Sequence, residues 1–192
     1  MSENIRVGLI GYGYASKTFH AQLVAGTPGM ELAAITSSDE TKVRADWPAV
    51  PVVTEPKHLF NDPNIDLIVI PTPNDTHFPL AKAALEAGKH VVVDKPFTVT
   101  LSQARELDAL ARSLGRLLSV FHNRRWDSDF LTVKALLNEG TLGEIAFFES
   151  HFDRYRPQVR DRWREQAGPG SGIWYDLAPH LLDQAVHLFG LP

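Results

Sequence analysis

The stretch Ile5-Arg6-Val7-Gly8-Leu9-Ile10-Gly11-Tyr12-Gly13-Tyr14-Ala15-Ser16-Lys17 constrains the fold more than any other part of the chain. Its apolar run reads as a buried strand, its two glycines as a tight turn, and the residues from Ala15 as the first turn of a helix. Gly11 and Gly13 hold the first two places of G-x-G-x-x-G, with Ser16 in the third. The first glycine permits the turn and the second lets backbone approach a pyrophosphate. The third position must be small so that helix and strand pack closely. Phosphates would sit on the unpaired N–H groups at the helix start. A plain glycine turn is the alternative. The motif's position, directly after an apolar run and before a helix, favours a dinucleotide cradle.

Strands and helices then alternate. Lys17 to Ala25 reads as a helix, Glu31 to Thr36 as a strand, and Asp39 as the N-cap of the next helix. Pro51 to Thr54 is a short strand and Lys57 to Phe60 a short helix. Asp66 to Ile70 is a continuous apolar strand, as expected where both sheet faces are covered. Thr76 to Ala87 is a helix closed by Gly88, His90 to Val93 a strand, Thr100 to Ser113 a helix and Leu117 to Val120 a strand. This order predicts an α/β fold, a doubly wound parallel Rossmann sheet, over residues 1–121.

The pattern changes at Phe121-His122-Asn123. Residues 122–192 read as a helix from Asp129 to Asn138, a strand from Glu144 to Phe152 and an arginine-rich polar segment from Asp153 to Arg164. A glycine turn from Gly168 to Gly172 and a last helix to Leu188 follow. One strand leaves its ladder groups unpaired. This part is therefore expected to be the beginning of an α+β substrate or oligomerisation domain in a longer protein.

Composition narrows the function. A net charge of −4 gives no basic footprint for nucleic acid. With no cysteine and no histidine at metal-ligand spacing, no metal is expected. No apolar run approaches the roughly 18 residues of a membrane span. A strand starting at Ile5 leaves no room for a leader peptide, so a cytoplasmic location is expected. After the second strand the chain offers Ser37 and Ser38, with Lys42 and Arg44 a few residues on. Hydroxyls and cations suit a 2′-phosphate, so NADP is favoured over NAD. Asp39 would favour NAD if it bound the ribose, but it reads better as a helix cap.

Several further stretches carry a family likeness. These are Gly8-x-x-Gly11-x-Gly13, Thr72-Pro73-Asn74-x-x-His77, Asp94-Lys95-Pro96, Trp163-Arg164 and Gly170-Ser171-Gly172-Ile173-Trp174-Tyr175-Asp176-Leu177-Ala178-Pro179-His180-Leu181-Leu182-Asp183. Together, and in this order, they resemble the Gfo/Idh/MocA oxidoreductases across the whole chain. Phe121-His122-Asn123-Arg124-Arg125-Trp126-Asp127 and the wording around Gly11 look like a narrower branch containing NADP-dependent scyllo-inositol dehydrogenases. Two departures stand out. Asp94 replaces the family's usual Glu, and Ser171 interrupts a glycine run.

The resemblance implies NAD(P) binding by Gly11, Gly13, Tyr14, Ala15, Ser37, Ser38, Pro71, Thr72, Asn74, His77, Lys95, Trp163 and Arg164. It implies catalysis by Lys95, His180 and Asp176, and a cis Lys95–Pro96 bond that aims the lysine inward. Lys95 would polarise the substrate oxygen, His180 would act as general base, and Asp176 would be its partner or a substrate ligand. His122, Asn123, Tyr155 and Asp183 are the expected substrate contacts. The resemblance also implies a second domain built on a large open sheet that continues past Pro192, and that sheet would make a homo-oligomer.

Bland readings stand beside these. Asp176, His180 and Asp183 at i, i+4 and i+7 also fit a solvated polar face, with Asp176 as N-cap and Pro179 in the first turn. Tyr155, Arg156, Arg160 and Trp163 suit polyol recognition or a loop packed on a partner. His77 also fits a helix-start cap, Lys95 a surface turn, and His20, His58 and His90 carry no signal. The expected activity is hydride transfer between nicotinamide and a secondary hydroxyl of a sugar or cyclic polyol such as an inositol. A nucleotide-binding sensor without turnover, or a reductase of imines or unsaturated substrates, is the alternative.

Overall fold

Six strands run parallel through the first unit in the spatial order β3-β2-β1-β4-β5-β6. They are β1 (Ile5–Ile10), β2 (Met30–Thr36), β3 (Val52–Val53), β4 (Leu67–Ile70), β5 (His90–Asp94) and β6 (Leu118–Phe121). The computed structural model describes residues 4–153, 155–158, 161–162 and 165–192. It divides into two compact units, Met1–Phe121 and His122–Pro192.

The order follows from burial. Val7, Leu9 and Ile10 of β1 are all buried, so this strand belongs in the sheet interior, with β2 on one side and β4 on the other. Side chains alternate across a strand and divide the core in two. On one face Val7, Leu9, Leu32, Ile35 and Val69 pack with Ala21 and Val24 of α1 (Ala21–Gly26) and Val43 of α2 (Glu40–Asp46). On the other, Ile10, Ile68, Ile70, Val91 and Val93 pack with α3 (Pro56–Asn61), α4 (His77–Glu86) and α5 (Leu101–Ser113) through Leu59, Ala81, Leu85 and Leu107. The chain moves outward from β1 to β3, then returns to the other side of β1 as β4. Loops leaving β1 and β4 therefore diverge at neighbouring carboxyl ends, the crevice where open α/β sheets bind ligands.

Local signals set the boundaries. The Asp39 side chain accepts from Lys42 N at 3.3 Å and caps α2. Thr100 and Gln103 form a capping box at the start of α5. The helix after the glycine turn passes through a single π-helical turn, Ser16–His20, before continuing as α1.

The second unit contains α6 (Ser128–Asn138) and α7 (Ile173–Phe189). Phe130 of α6 meets the His187 ring of α7 at 6.0 Å, and Lys134 Nζ donates to His187 Nε2 at 2.8 Å. Two expectations fail here. Glu144 to Phe152 forms no strand, since among the described residues of this unit no second strand offers it a ladder. The last helix begins at Ile173 with Gly172 as N-cap, so Asp176 lies within the first turn and Pro179 inside the helix.

Gly8 tests the packing directly. An added Cβ would lie 3.1 Å from Ile68 Cδ1 and 3.2 Å from Leu59 Cδ1, both fully buried. Gly8→Ala should lower stability by about 1–3 kcal/mol in denaturant unfolding, because the close-packed core cannot give way freely. Unchanged stability would contradict this packing.

Candidate coenzyme and proton-transfer site

The loop after β1 is built from both sides. Gly11 adopts φ +80°, a left-handed conformation that its neighbours could not hold cheaply, and its N–H donates to Thr36 Oγ1 at the end of β2 (2.7 Å). Gly13 is different. Its φ is ordinary, and an added Cβ would meet nothing within 4 Å. The fold itself therefore gives no reason for glycine at 13, whereas close approach of a phosphate to backbone does. Ser16 is fully buried where the third small residue belongs. Tyr14 is exposed and Ala15 half-buried beside the open loop. These residues fit a dinucleotide pyrophosphate.

The loop is also tied outward. Half-buried Tyr12 donates from its hydroxyl to Asp46 Oδ2 at 2.9 Å, and Lys17 Nζ pairs with the same carboxylate at 2.7 Å. Burial and then the Asp46 hydrogen bond push the Tyr12 phenol up to about 12, so it stays a proton donor. Nothing in the sequence marked this triad, because Asp46 closes a helix two elements later.

At the end of β2, Ser37 Oγ donates to Asp39 O (2.9 Å) and accepts from Asp39 N (3.0 Å), while Ser38 is exposed. Asp39 is engaged as the cap of α2, and Lys42 Nζ lies 3.4 Å from its carboxylate. Arg44 is occupied by Glu40 and the Pro48 carbonyl. Lys42 is thus the cation more open to a ligand, with its side chain 72% exposed.

Pro71 to His77 leaves β4, and Thr72 is half-buried. Thr76 Oγ1 lies 2.6 Å from both Thr72 Oγ1 and Pro73 O. Asn74 is almost fully buried. His77 is fully buried, with Nδ1 2.8 Å from Pro96 O and Nε2 2.9 Å from Thr72 O. Both ring nitrogens thus face backbone carbonyls.

Lys95 follows β5, and its bond to Pro96 is cis. Lys95 N donates to Asp94 Oδ1 at 2.8 Å. The other Asp94 oxygen faces His20 Nε2 at 3.9 Å, and the His20 ring packs on Phe121 with centroids 4.3 Å apart. Burial opposes the Asp94 charge, but the His20 imidazole, the Lys95 N–H and the Lys95 ammonium outweigh it and hold the carboxyl below its ordinary 3.8. His20 carried no sequence signal; its place four residues after buried Ser16, on the inward side of the same helix, could have supplied one.

In the second unit, the polar face of α7 turns inward. His180 and Gln184 are buried, and Gln184 Nε2 donates to Arg124 O at 3.0 Å. Asp183 receives both Arg125 Nε (2.7 Å) and Arg125 Nη2 (2.5 Å), with His122 Nε2 3.7 Å away. This raises the Arg125 pKa through the Asp183 hydrogen bond. Meanwhile Leu182 and Phe189 are about half exposed, which reverses the solvated-polar-face reading. A substrate hydroxyl at Asp183 would have to share it with Arg125.

Asp176 and Arg156 line a cavity of 610 Å³ together with Phe152, Glu165 and Leu177. The Phe152 ring lies 6.2 Å from that of His180 and takes Arg124 on its face at 5.4 Å. Asn123 opens a single 3-10 turn, and Tyr155 is 92% exposed. Trp163, Arg164 and Arg160 lie outside the described residues. Among the described residues no cluster of three or more His, Asp or Glu side chains suits a metal, and no helix is long and apolar enough to cross a membrane.

Comparison with known proteins agrees with this geometry. Residues 5–122 match the model described as an oxidoreductase family with an NAD-binding Rossmann fold, and residues 130–192 match the GFO/IDH/MocA C-terminal domain. The uncharacterized oxidoreductase YdgJ of Escherichia coli is 88% identical across 100% of this chain and 56% of its own length. The scyllo-inositol 2-dehydrogenase (NADP(+)) IolW of Bacillus subtilis is 43% identical across 99% of this chain and 53% of its own. A solved Yersinia pestis structure, 73% identical, matches with TM-score 0.94 over 100% of this chain and 54% of that one. The chain spans about half the length of the curated relatives it matches.

The Asp94 charge has a measurable consequence. A carboxyl whose folded pKa lies under its unfolded one stabilises the fold above the unfolded value and loses that contribution as pH falls through the folded value. Asp94→Asn should therefore melt below wild type at neutral pH, and the gap in Tm should close as pH drops beneath 3.8. A gap independent of pH would contradict an ionised Asp94.

Proposed function

Because the chain belongs to the Gfo/Idh/MocA oxidoreductase family and carries its NAD(P)-binding Rossmann domain, we propose that the whole protein oxidises a secondary hydroxyl of a cyclic polyol or sugar, with NADP preferred. An inositol is the first substrate to test, since the similar IolW is named for scyllo-inositol and NADP(+). The same proposal includes a homo-oligomer working in the cytoplasm.

The observation that carries the reading is the setting of Lys95. It leaves β5, whose neighbour β4 is itself the neighbour of β1 and its glycine loop. Its backbone N–H donates to Asp94 Oδ1, which fixes the turn from which the side chain leaves. A bound nicotinamide coenzyme would supply the hydride acceptor. Lys95 would donate to the substrate oxygen and stabilise negative charge as the hydroxyl proton departs. His180, buried on the inward face of α7, would take that proton, with Asp176 one turn earlier as its partner or as a ligand of a neighbouring hydroxyl. His122, Asn123 and Tyr155 would recognise further hydroxyls. Ser37, Ser38 and Lys42 would favour the 2′-phosphate, since Asp39 serves as a cap.

In the full-length protein, Lys95→Ala should lower turnover of an inositol panel by about 10²–10⁴-fold, with NADPH affinity nearly unchanged. Undiminished turnover would remove the assignment. Lys42→Ala should weaken NADPH by about tenfold without weakening NADH, the loss of roughly one charged contact. Equal effects on both coenzymes would contradict a phosphate contact.

A further inference from the structure

We infer that His77 is a positioning residue for Lys95: its buried ring sits between the Lys95–Pro96 turn and the Thr72 loop, with one ring nitrogen against a backbone carbonyl of each. The inference rests on the catalytic reading of Lys95.

The β4–β5 ladder ends at the pair Ile70↔Val93. Beyond it the two strands run into loops, one carrying Thr72 and the other Lys95 and Pro96. Pro96 has no N–H, so its peptide cannot continue the ladder as a donor. The imidazole takes over that linkage. Nδ1 lies 2.8 Å from Pro96 O and Nε2 2.9 Å from Thr72 O, with the side chain fully buried. Carbonyl oxygens only accept, so the ring donates from the nitrogen that carries the proton. Burial keeps water from replacing either contact.

The anchor is itself fixed. His77 is the first residue of α4, and the preceding Thr76 reaches Pro73 O and Thr72 Oγ1, each at 2.6 Å. Ala81, Ala84 and Leu85 of the same helix are fully buried against the sheet. The ring thus transmits the rigidity of α4 to the turn that aims Lys95. Asp94 fixes the amino side of that turn through Lys95 N, and His77 fixes its carboxyl side through Pro96 O.

Two measurements on the full-length protein test this. In histidine-labelled wild type, ¹H–¹⁵N spectra should show one histidine ring N–H protected from solvent exchange, and His77→Gln should lack that signal. A His77 ring N–H that exchanges freely with solvent overturns the bridge. Glutamine has one amide nitrogen and cannot reach both carbonyls. His77→Gln should therefore lower kcat by about 100-fold through misplacement of Lys95, with NADPH Kd changed by less than about threefold. A folded variant with wild-type kcat overturns the positioning role. If Lys95→Ala keeps full turnover, the reading of Lys95 falls and the kinetic consequence with it, while the nitrogen spectrum still decides the bridge.

Discussion

β1 has a parallel neighbour on each side, and this double pairing is the constraint on which the first unit depends. A strand flanked by β2 and β4 must be apolar on both faces, and Val7, Leu9 and Ile10 meet that demand. Because β2 and β4 leave β1 in opposite directions, their connecting helices cover opposite faces and open the crevice at the strands' carboxyl ends. Gly8 lets Ile68, Leu59 and Ile65 close over the strand. Two residues later the strand ends at Ile10, and the turn that follows carries Gly11 and Gly13 at the crevice. Core packing and coenzyme geometry thus share one short segment.

The loops at that end are held by side chains rather than by further ladder. Thr36 holds the Gly11 amide, Asp46 gathers Tyr12 and Lys17, Asp94 holds the Lys95 amide, and His77 spans two loops. Most of these ties join residues distant in sequence, so the geometry of the loops is largely set by the sheet order. In the second unit the same economy appears on α7, where His180 is buried and Asp183 and Gln184 reach Arg125 and the Arg124 carbonyl. Inward polar groups need partners, and the 122–126 turn supplies them.

Local signals were readable in the sequence. The apolar run and glycines gave the first strand, turn and helix; Asp39 was legible as a cap, because its hydrogen bond spans only three residues. The cis Lys95–Pro96 bond was expected from resemblance and is present. Long-range pairing was not readable. His20 against Asp94 and His77 between Thr72 and Pro96 depend on which strands are neighbours, and no spacing rule encodes that. The expected strand from Glu144 to Phe152 failed because a strand is a property of a pair. Helical periodicity gave the polar face of α7 but not what it meets, so both the solvated and the inward readings stood until His180 and Gln184 proved buried.

Gly13 offers the most direct test of the coenzyme cradle, since a methyl group there would meet nothing within 4 Å of the chain itself. Titration of NADPH into wild type and Gly13→Ala, alongside their melting curves, separates fold from function. The account predicts an unchanged Tm and an affinity lowered by about tenfold or more, because the methyl occupies the approach to the pyrophosphate. Equal affinity in the two proteins would contradict a phosphate seated on this loop.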